Sequence, residues 1–217
     1  MIRQIPLFPL GTLLFPGATI NLHIFEERYR LMIGRCLEQG SPFGVVLIRE
    51  GDEVVEGRVG ARAAEPYAVG TLAQISANVK LEDGRLLLTA VGGSRFRTQY
   101  LVQQTPYLIA SVVELPDHLD SGAARAANEL RAVYERYWQA VAVATGAPVQ
   151  AEDLPGDPVA LSYQLADRLQ VPYARKQRWL EADSSTRLRE IASDLRAELG
   201  LLPTGRRRPG EGGGNLN

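Results

Sequence analysis

The feature that most constrains this fold is a change of hydrophobic period near residue 120. Before it, short apolar runs alternate with Gly and Pro. After it, apolar residues recur at spacings of three and four. That pattern predicts an α+β organisation, with a β-rich part over residues 1–119 and an α-helical part over residues 120–202. The remaining residues, 203–217, are Gly-rich and lack an apolar pattern, which predicts a disordered tail.

In the first part, "RQIPLFPL" reads as an extended segment whose prolines exclude it from a regular central strand. "FPGA" fits a type II turn, with Pro16 at its second position and Gly17 supplying positive φ at its third. "TINLHIF" then places Ile20, Leu22 and Ile24 on one face and Thr19, Asn21 and His23 on the other, the mark of a half-buried strand. Phe25, Tyr29, Met32, Ile33 and Cys36 form a helical stripe that begins with Glu26 and Glu27, where a helix dipole favours acids, and stops at Gly40. "FGVVLI" predicts a strand buried on both faces. Further strands read at "YAVGTLAQISA", "VKLEDGRLLLTAV", "RFRTQYLV" and "YLIASVVEL", with Asp83-Gly84 as a two-residue hairpin turn. So many short strands around one helix point to a barrel-like or sandwich sheet.

In the second part, Ala123, Ala127, Leu130, Tyr134, Tyr137, Val141 and Ala144 make one apolar seam, ended by Gly146. Asp157 and Pro158 suit the N-cap and first position of a second helix, and Val171-Pro172 closes it. "YARKQRWLEA" is a short third helix. The last carries Leu188, Ile191, Ala192, Leu195 and Leu199 inward and stops at Gly200. Four such helices would pack as a bundle.

Little in the chain points to chemistry. The formal net charge is −1, from 24 basic and 25 acidic groups, which argues against a dedicated nucleic-acid binder. A single cysteine, Cys36, permits no intrachain disulfide, and its place on an apolar stripe suits an inert buried thiol. His23 and His118 lack the spacing of metal ligands. No G-x-S-x-G elbow, S-x-x-K motif or GK dipeptide occurs, which leaves no hydrolase or P-loop signature. Gly92-Gly93 lies between strands, away from the strand-to-helix context of a phosphate loop. Arg95-Phe96-Arg97 could stack on single-stranded nucleic acid, but reads better as an inward Phe96 between two solvated arginines. The run Arg206 to Arg208 suits a solubilising tail. No apolar run is long enough to span a bilayer, and Pro6, Pro9 and Pro16 interrupt any signal-peptide core, so the cytoplasm is the expected compartment.

Several stretches in order resemble the N-terminal, substrate-recognising domain of ATP-dependent Lon proteases. They are "IPLFPLGTLLFPGATINLHIFEERYRLMIGRCLEQGSPFGVVLI", "VGTLAQI", "LEDGRLLLTAVGGSRFR", "PYLIASV", "LSYQLADRL", "KQRWLE" and "TRLREI". The likeness runs from about residue 2 to residue 200. It implies a PUA-like β-domain followed by a helical bundle, with Pro9, Pro16, Gly17, Phe25, Glu26 and Tyr29 as structural signature residues. It also implies no ATPase or Ser–Lys peptidase in this stretch, and so a non-catalytic protein without cofactors, like the stand-alone bacterial members of the family. Trp179 stands where the family's pattern has leucine, which implies local repacking.

The function this implies is binding of unfolded or partly folded polypeptides, in company with a separate protease or chaperone. Leu7, Phe8, Phe15, Arg28 and Leu31 are the candidate surface, with an open strand edge expected at residues 5–10. RNA binding on a PUA-like fold is the alternative. An enzyme with a small-molecule pocket finds no support in any motif.

Overall fold

In the computed structural model, which describes residues 2–51, 64–146 and 153–202, the change of period becomes a change from strands to helices. The strands are β1 (Ile2–Leu10), β2 (Thr19–Ile24), β3 (Phe43–Glu50), β4 (Glu65–Pro66), β5 (Val69–Lys80), β6 (Leu86–Gln103) and β7 (Leu108–Leu115). Helix α1 (Glu27–Gln39) follows β2, and α2 (Ala123–Thr145), α3 (Pro158–Arg168), α4 (Tyr173–Glu181) and α5 (Ser184–Leu201) complete the chain. The Gly-rich tail and Arg206–Arg208 lie outside the described residues.

Strand pairings run β1-β7-β6-β5-β3 and return to β1, which closes a ring. All its pairs are antiparallel except β1 with β3. Contrary to the expectation from its prolines, β1 is a central strand. Its residues 2–7 pair with β7 and its residues 7–10 with β3. Along most of its length only one edge is bonded, so a proline nitrogen facing the other edge removes no ladder bond. Residues 5–10, where an open edge was expected, are each paired on at least one side, residues 5–7 with β7 and residues 7–10 with β3.

Three apolar groups fill the spaces this topology creates. Ile5, Leu7, Val46, Leu72, Phe96, Ala110 and Val112 pack together between the ring strands. The α1 stripe of Tyr29, Met32, Ile33 and Cys36 packs with Phe8, Ile24, Phe43, Leu86, Leu88 and Ala90. The third group joins the helices to the sheet: Leu13, Phe15, Leu47 and Val69 share it with Leu130, Leu161, Trp179, Leu188 and Ile191. The helical part thus shares its core with the strands. Trp179 is fully buried in it.

Local signals were realised with two differences. Gly17 has φ 79° and Ala18 N donates to Phe15 O at 3.1 Å, as a type II turn requires. Gly40 ends α1 at φ 60°, Gly146 ends α2 at φ 70°, and the Asp157 side chain accepts from Ala160 N. The β5–β6 turn, however, is a three-residue loop closed by Leu81 N donating to Arg85 O. Only Gly84 in it has positive φ, and a two-residue type I′ turn would need two such residues. Helix α5 also continues through Gly200 to Leu201.

A buried polar junction fastens the helices to the strands. Arg187, wholly buried, donates from Nε to Trp179 O (2.8 Å), from Nη1 to Ser162 Oγ (2.9 Å) and from Nη2 to Asp117 Oδ1 (3.1 Å). Arg95 of β6 donates to the same carboxylate oxygen at 2.9 Å and to the carbonyls of Leu180 and Ala182. Arg95 is thus buried rather than solvated, while Phe96 points inward and Arg97 is exposed as expected. The helices cover the face of β6 that carries Arg95, which no pattern within the strand announces.

Candidate functional site

The strand β2 and the first turn of α1 build a cleft of about 130 Å³. Phe8 and Leu10 of β1 line one part, residues 21–26 another, and Tyr29 of α1 a third. The Phe8 and Tyr29 rings lie 4.1 Å apart between centroids, giving the cleft an aromatic wall. A cavity of about 150 Å³ accepts a benzene molecule, while pockets for drug-sized ligands begin at about 300 Å³. This cleft therefore has room for one side chain rather than a cofactor.

Glu26 is an acidic member of the lining, and Arg28 contacts both it and Tyr29. Glu26 is the N-cap residue of α1, with extended backbone at φ −67° and ψ 136°. Its buried carboxylate accepts from Arg28 Nε at 2.9 Å, and Nη2 of the same guanidinium lies 2.8 Å from Oε2. Arg28 in turn lies over the Tyr29 ring, 4.5 Å from its centroid. A helical wheel places Glu26 and Arg28 on opposite flanks. The structure brings them together because Glu26 stands outside the helix, where the wheel does not apply. Arg28 is thus held by a carboxylate and a ring, and Leu31 is 44% exposed on α1.

The other candidates are placed differently. Leu7, Phe8 and Phe15 are core residues, almost wholly removed from solvent. Only Phe8 reaches the site, as lining of the cleft. They fail as surface residues because the ring strands enclose Leu7, α1 packs with Phe8, and the helices of the second part pack with Phe15. Phe25, expected on the buried stripe, is 49% exposed at the end of β2, with its ring 5.8 Å from that of His23. Pro9 and Tyr29 are buried, and Pro16 and Gly17 make the turn.

The edge of β2 was the feature missed by sequence reasoning. Residues 19–24 pair with Val91 to Leu86 of β6, and no described strand takes the other edge. The strand carries no charge, no proline and no bulge, the devices by which edge strands avoid new partners. Edge strand β4 contrasts with it: two residues long, with a proline and an ion pair from Glu65 to Arg49. On the outer face, His23, Leu87 and Val79 stand in register across β2, β6 and β5, all exposed. The missing information was which strands pair, but the absence of charge in "TINLHI" was legible.

Other candidate groups have structural roles. Gly92 N donates to Ala18 O and Gly17 N to Gly92 O, each at 2.8 Å, so Gly92 carries the turn that leads into β2. A Cβ there would overlap the Phe15 carbonyl oxygen. Burial pushes the Cys36 thiol up, partly offset by a hydrogen bond with Ser41, which disfavours the reactive thiolate. Among the described residues no three His, Cys, Asp or Glu side chains converge as metal ligands, and no helix is long and apolar enough to cross a membrane.

A strand ring covered by helices in this arrangement is the fold of Lon N-terminal domains. The Lon N-terminal domain protein of Xanthomonas campestris superposes with a TM-score of 0.61 at 26% identity, covering 88% of this chain and 98% of that one. The N-terminal domain of Mycobacterium avium complex Lon protease shares the fold at 16% identity, with a TM-score of 0.62 over 89% of this chain and 98% of that one. The chain belongs to the family of ATP-dependent protease La (LON) substrate-binding domains, whose family model matches residues 4–195. Among relatives, the Lon protease of Koribacter versatilis is 28% identical over 208 residues, 91% of this chain and 24% of its own length. Lon protease 2 of Myxococcus xanthus is 31% identical over 120 residues, 55% of this chain and 14% of its own length. The chain thus spans about a quarter or less of these relatives, and the family match concerns the substrate-binding domain.

Proposed function

We propose that this protein is a non-catalytic recognition module for unfolded or partly folded polypeptide segments, which bind along the open edge of β2. The observation that carries this reading is that edge itself: six uncharged, proline-free residues beside a cleft sized for one side chain. An incoming extended segment would take main-chain hydrogen bonds from β2 and place one alternate side chain against Phe8 and Tyr29. Phe25 and the exposed row of His23, Leu87 and Val79 would meet the side chains on its other face. Arg28, fixed by Glu26, stands behind two residues of the cleft's lining, Glu26 and Tyr29. This reading includes a PUA-like sheet over residues 1–119 and a helical subdomain over residues 120–202, in keeping with the ring of pairings and the packing of α2 on α5.

The test is a binding comparison at two salt concentrations between permanently unfolded polypeptides, structured and single-stranded RNA, and folded controls. Preference for unfolded chains with weak salt dependence is the expected result. RNA binding that falls steeply with salt would overturn the proposal in favour of a nucleic-acid module.

A further inference from the structure

A second open edge lies at the far end of β6. Pairing of β5 with β6 ends at Val69 opposite Arg97, and Thr98 N donates to Ala68 O. From Gln99 to Gln103, β6 continues with β7 on one edge and no described strand on the other. Register shifts against β7 between Thr98 and Tyr100 and between Leu101 and Gln103 break the in-and-out alternation. As a result three consecutive apolar residues, Tyr100, Leu101 and Val102, are 62%, 40% and 45% exposed. The surrounding stretch, Thr98 to Tyr107, contains no charged residue.

The sequence of this edge identifies what covers it. "QYLVQ" has the same polar and apolar order in both directions. Set antiparallel to an identical segment about Leu101, it matches Gln99 of one copy with Gln103 of the other, Tyr100 with Val102, and Leu101 with Leu101. Aromatic to β-branched and aliphatic to aliphatic pairs stabilise adjacent strands, and amides can hydrogen-bond each other. A twofold interface brings each surface against its own copy, so a charged patch would face like charge, while this uncharged one faces none. The cleft borders β2, which pairs with residues 86–91 at the other end of β6, so the two edges are separate.

We propose that the Gln99–Gln103 edge is the contact between two copies of this chain, which associate as a twofold dimer through antiparallel pairing of β6. The inference does not rest on the polypeptide-binding reading. Sedimentation equilibrium of the full chain should show a reversible rise from 23.8 kDa towards twice that mass as concentration increases. A monomer mass over the whole soluble range would overturn it. Leu101→Lys, which sets two ammonium groups against each other at the axis, should abolish the dimer while leaving the circular dichroism spectrum intact. If that variant fails to fold, Leu101→Cys provides the same test. The native Cys36 is buried, so mild oxidation should yield a dimer linked through position 101. A wild-type dimer that yields no such link would place the interface elsewhere and refute the proposal.

Discussion

The molecule contains the same trio of residue types twice, in opposite surroundings. At the cleft, Arg28 lies 4.5 Å over Tyr29 and pairs with Glu26. At the junction, Arg187 lies 3.9 Å over Tyr163 and pairs with Asp117. The Arg187 side chain has no solvent exposure and Arg28 has 23%. A buried guanidinium must have its donors satisfied inside the protein, and Arg187 directs them to two carbonyls, a hydroxyl and a carboxylate. It is thereby committed to holding helices on strands. Arg28 keeps contact with solvent beside Glu26 and Tyr29, which line a cleft. The chemistry of the trio is shared, and burial decides which one is a fastening and which one can meet a ligand.

The largest expected effect tests the fastening. Arg187→Ala should lower the free energy of unfolding by about 3–5 kcal/mol, because it removes one member of a buried ion-pair network, takes the donor from the Trp179 carbonyl and leaves a cavity in the core. Arg187→Met should lose less, since its chain fills the space and Asp117 keeps Arg95. Urea denaturation measures both, and a loss below about 1 kcal/mol for the Ala variant would remove the contrast with Arg28.

Gly92→Ala should cost about 1–3 kcal/mol by the same measurement, since its methyl group displaces the Phe15 segment that leads into β2. The cleft side should respond in binding rather than in stability. Phe25→Ala should weaken binding of unfolded polypeptide by about 1–2 kcal/mol, with unfolding free energy changed by at most about 0.5 kcal/mol. Equal titration curves for wild type and variant would detach Phe25 from the site. Arg28→Ala should cost at most about 1 kcal/mol in stability, a value that separates it from Arg187.

The smallest effect appears only in alkali. Burial pushes the Tyr163 phenol well above its ordinary range, opposed by the charges of Arg187 and Arg95. A group whose folded pKa is raised contributes stability that is fully present below its unfolded pKa, about 10 for tyrosine, and is lost as pH rises through the folded value. Melting temperature should therefore fall as pH rises above about 10, and Tyr163→Phe should flatten that fall. An unchanged slope in the variant would show that another group causes it.

The helices were largely legible because their information is local. The stripe of α1, the glycine stops of α1 and α2 and the Asp157 cap depend on residues within a turn or two of one another. The same holds for the Phe15–Ala18 turn, where Gly17 provides a φ that other residues resist. The local errors are small, a turn one residue longer, a helix running past Gly200 and a helix that starts at Glu27 rather than at Phe25, and the larger ones concern partners distant in sequence. Pro6 and Pro9 suggested a peripheral strand, yet β1 exchanges one neighbour for another at Leu7. Arg95 suggested a solvated group, yet the end of α4 and its C-cap Ala182 cover it.

The candidate site divides along the same line. Of the five residues proposed for the binding surface, Arg28 is partly exposed and Leu31 is exposed, while Leu7, Phe8 and Phe15 are core and only Phe8 lines the cleft. All five were chosen for type and local pattern, and an apolar side chain on a strand looks alike whether the sheet is covered or open. Glu26 and Phe25 were placed in the helix by periodicity, but the chain enters α1 only at Glu27.

By itself, the sequence determined the order of strands and helices, the family and the uncharged character of both open edges. Each of these depends on residue identity and short spacing, which the chain carries without folding. Only the tertiary structure decided which edges stay open, which arginine is sealed and where a cleft forms. Those follow from pairings between β1, β3, β6 and β7 and from the cover of helices, contacts between distant residues that no local period encodes.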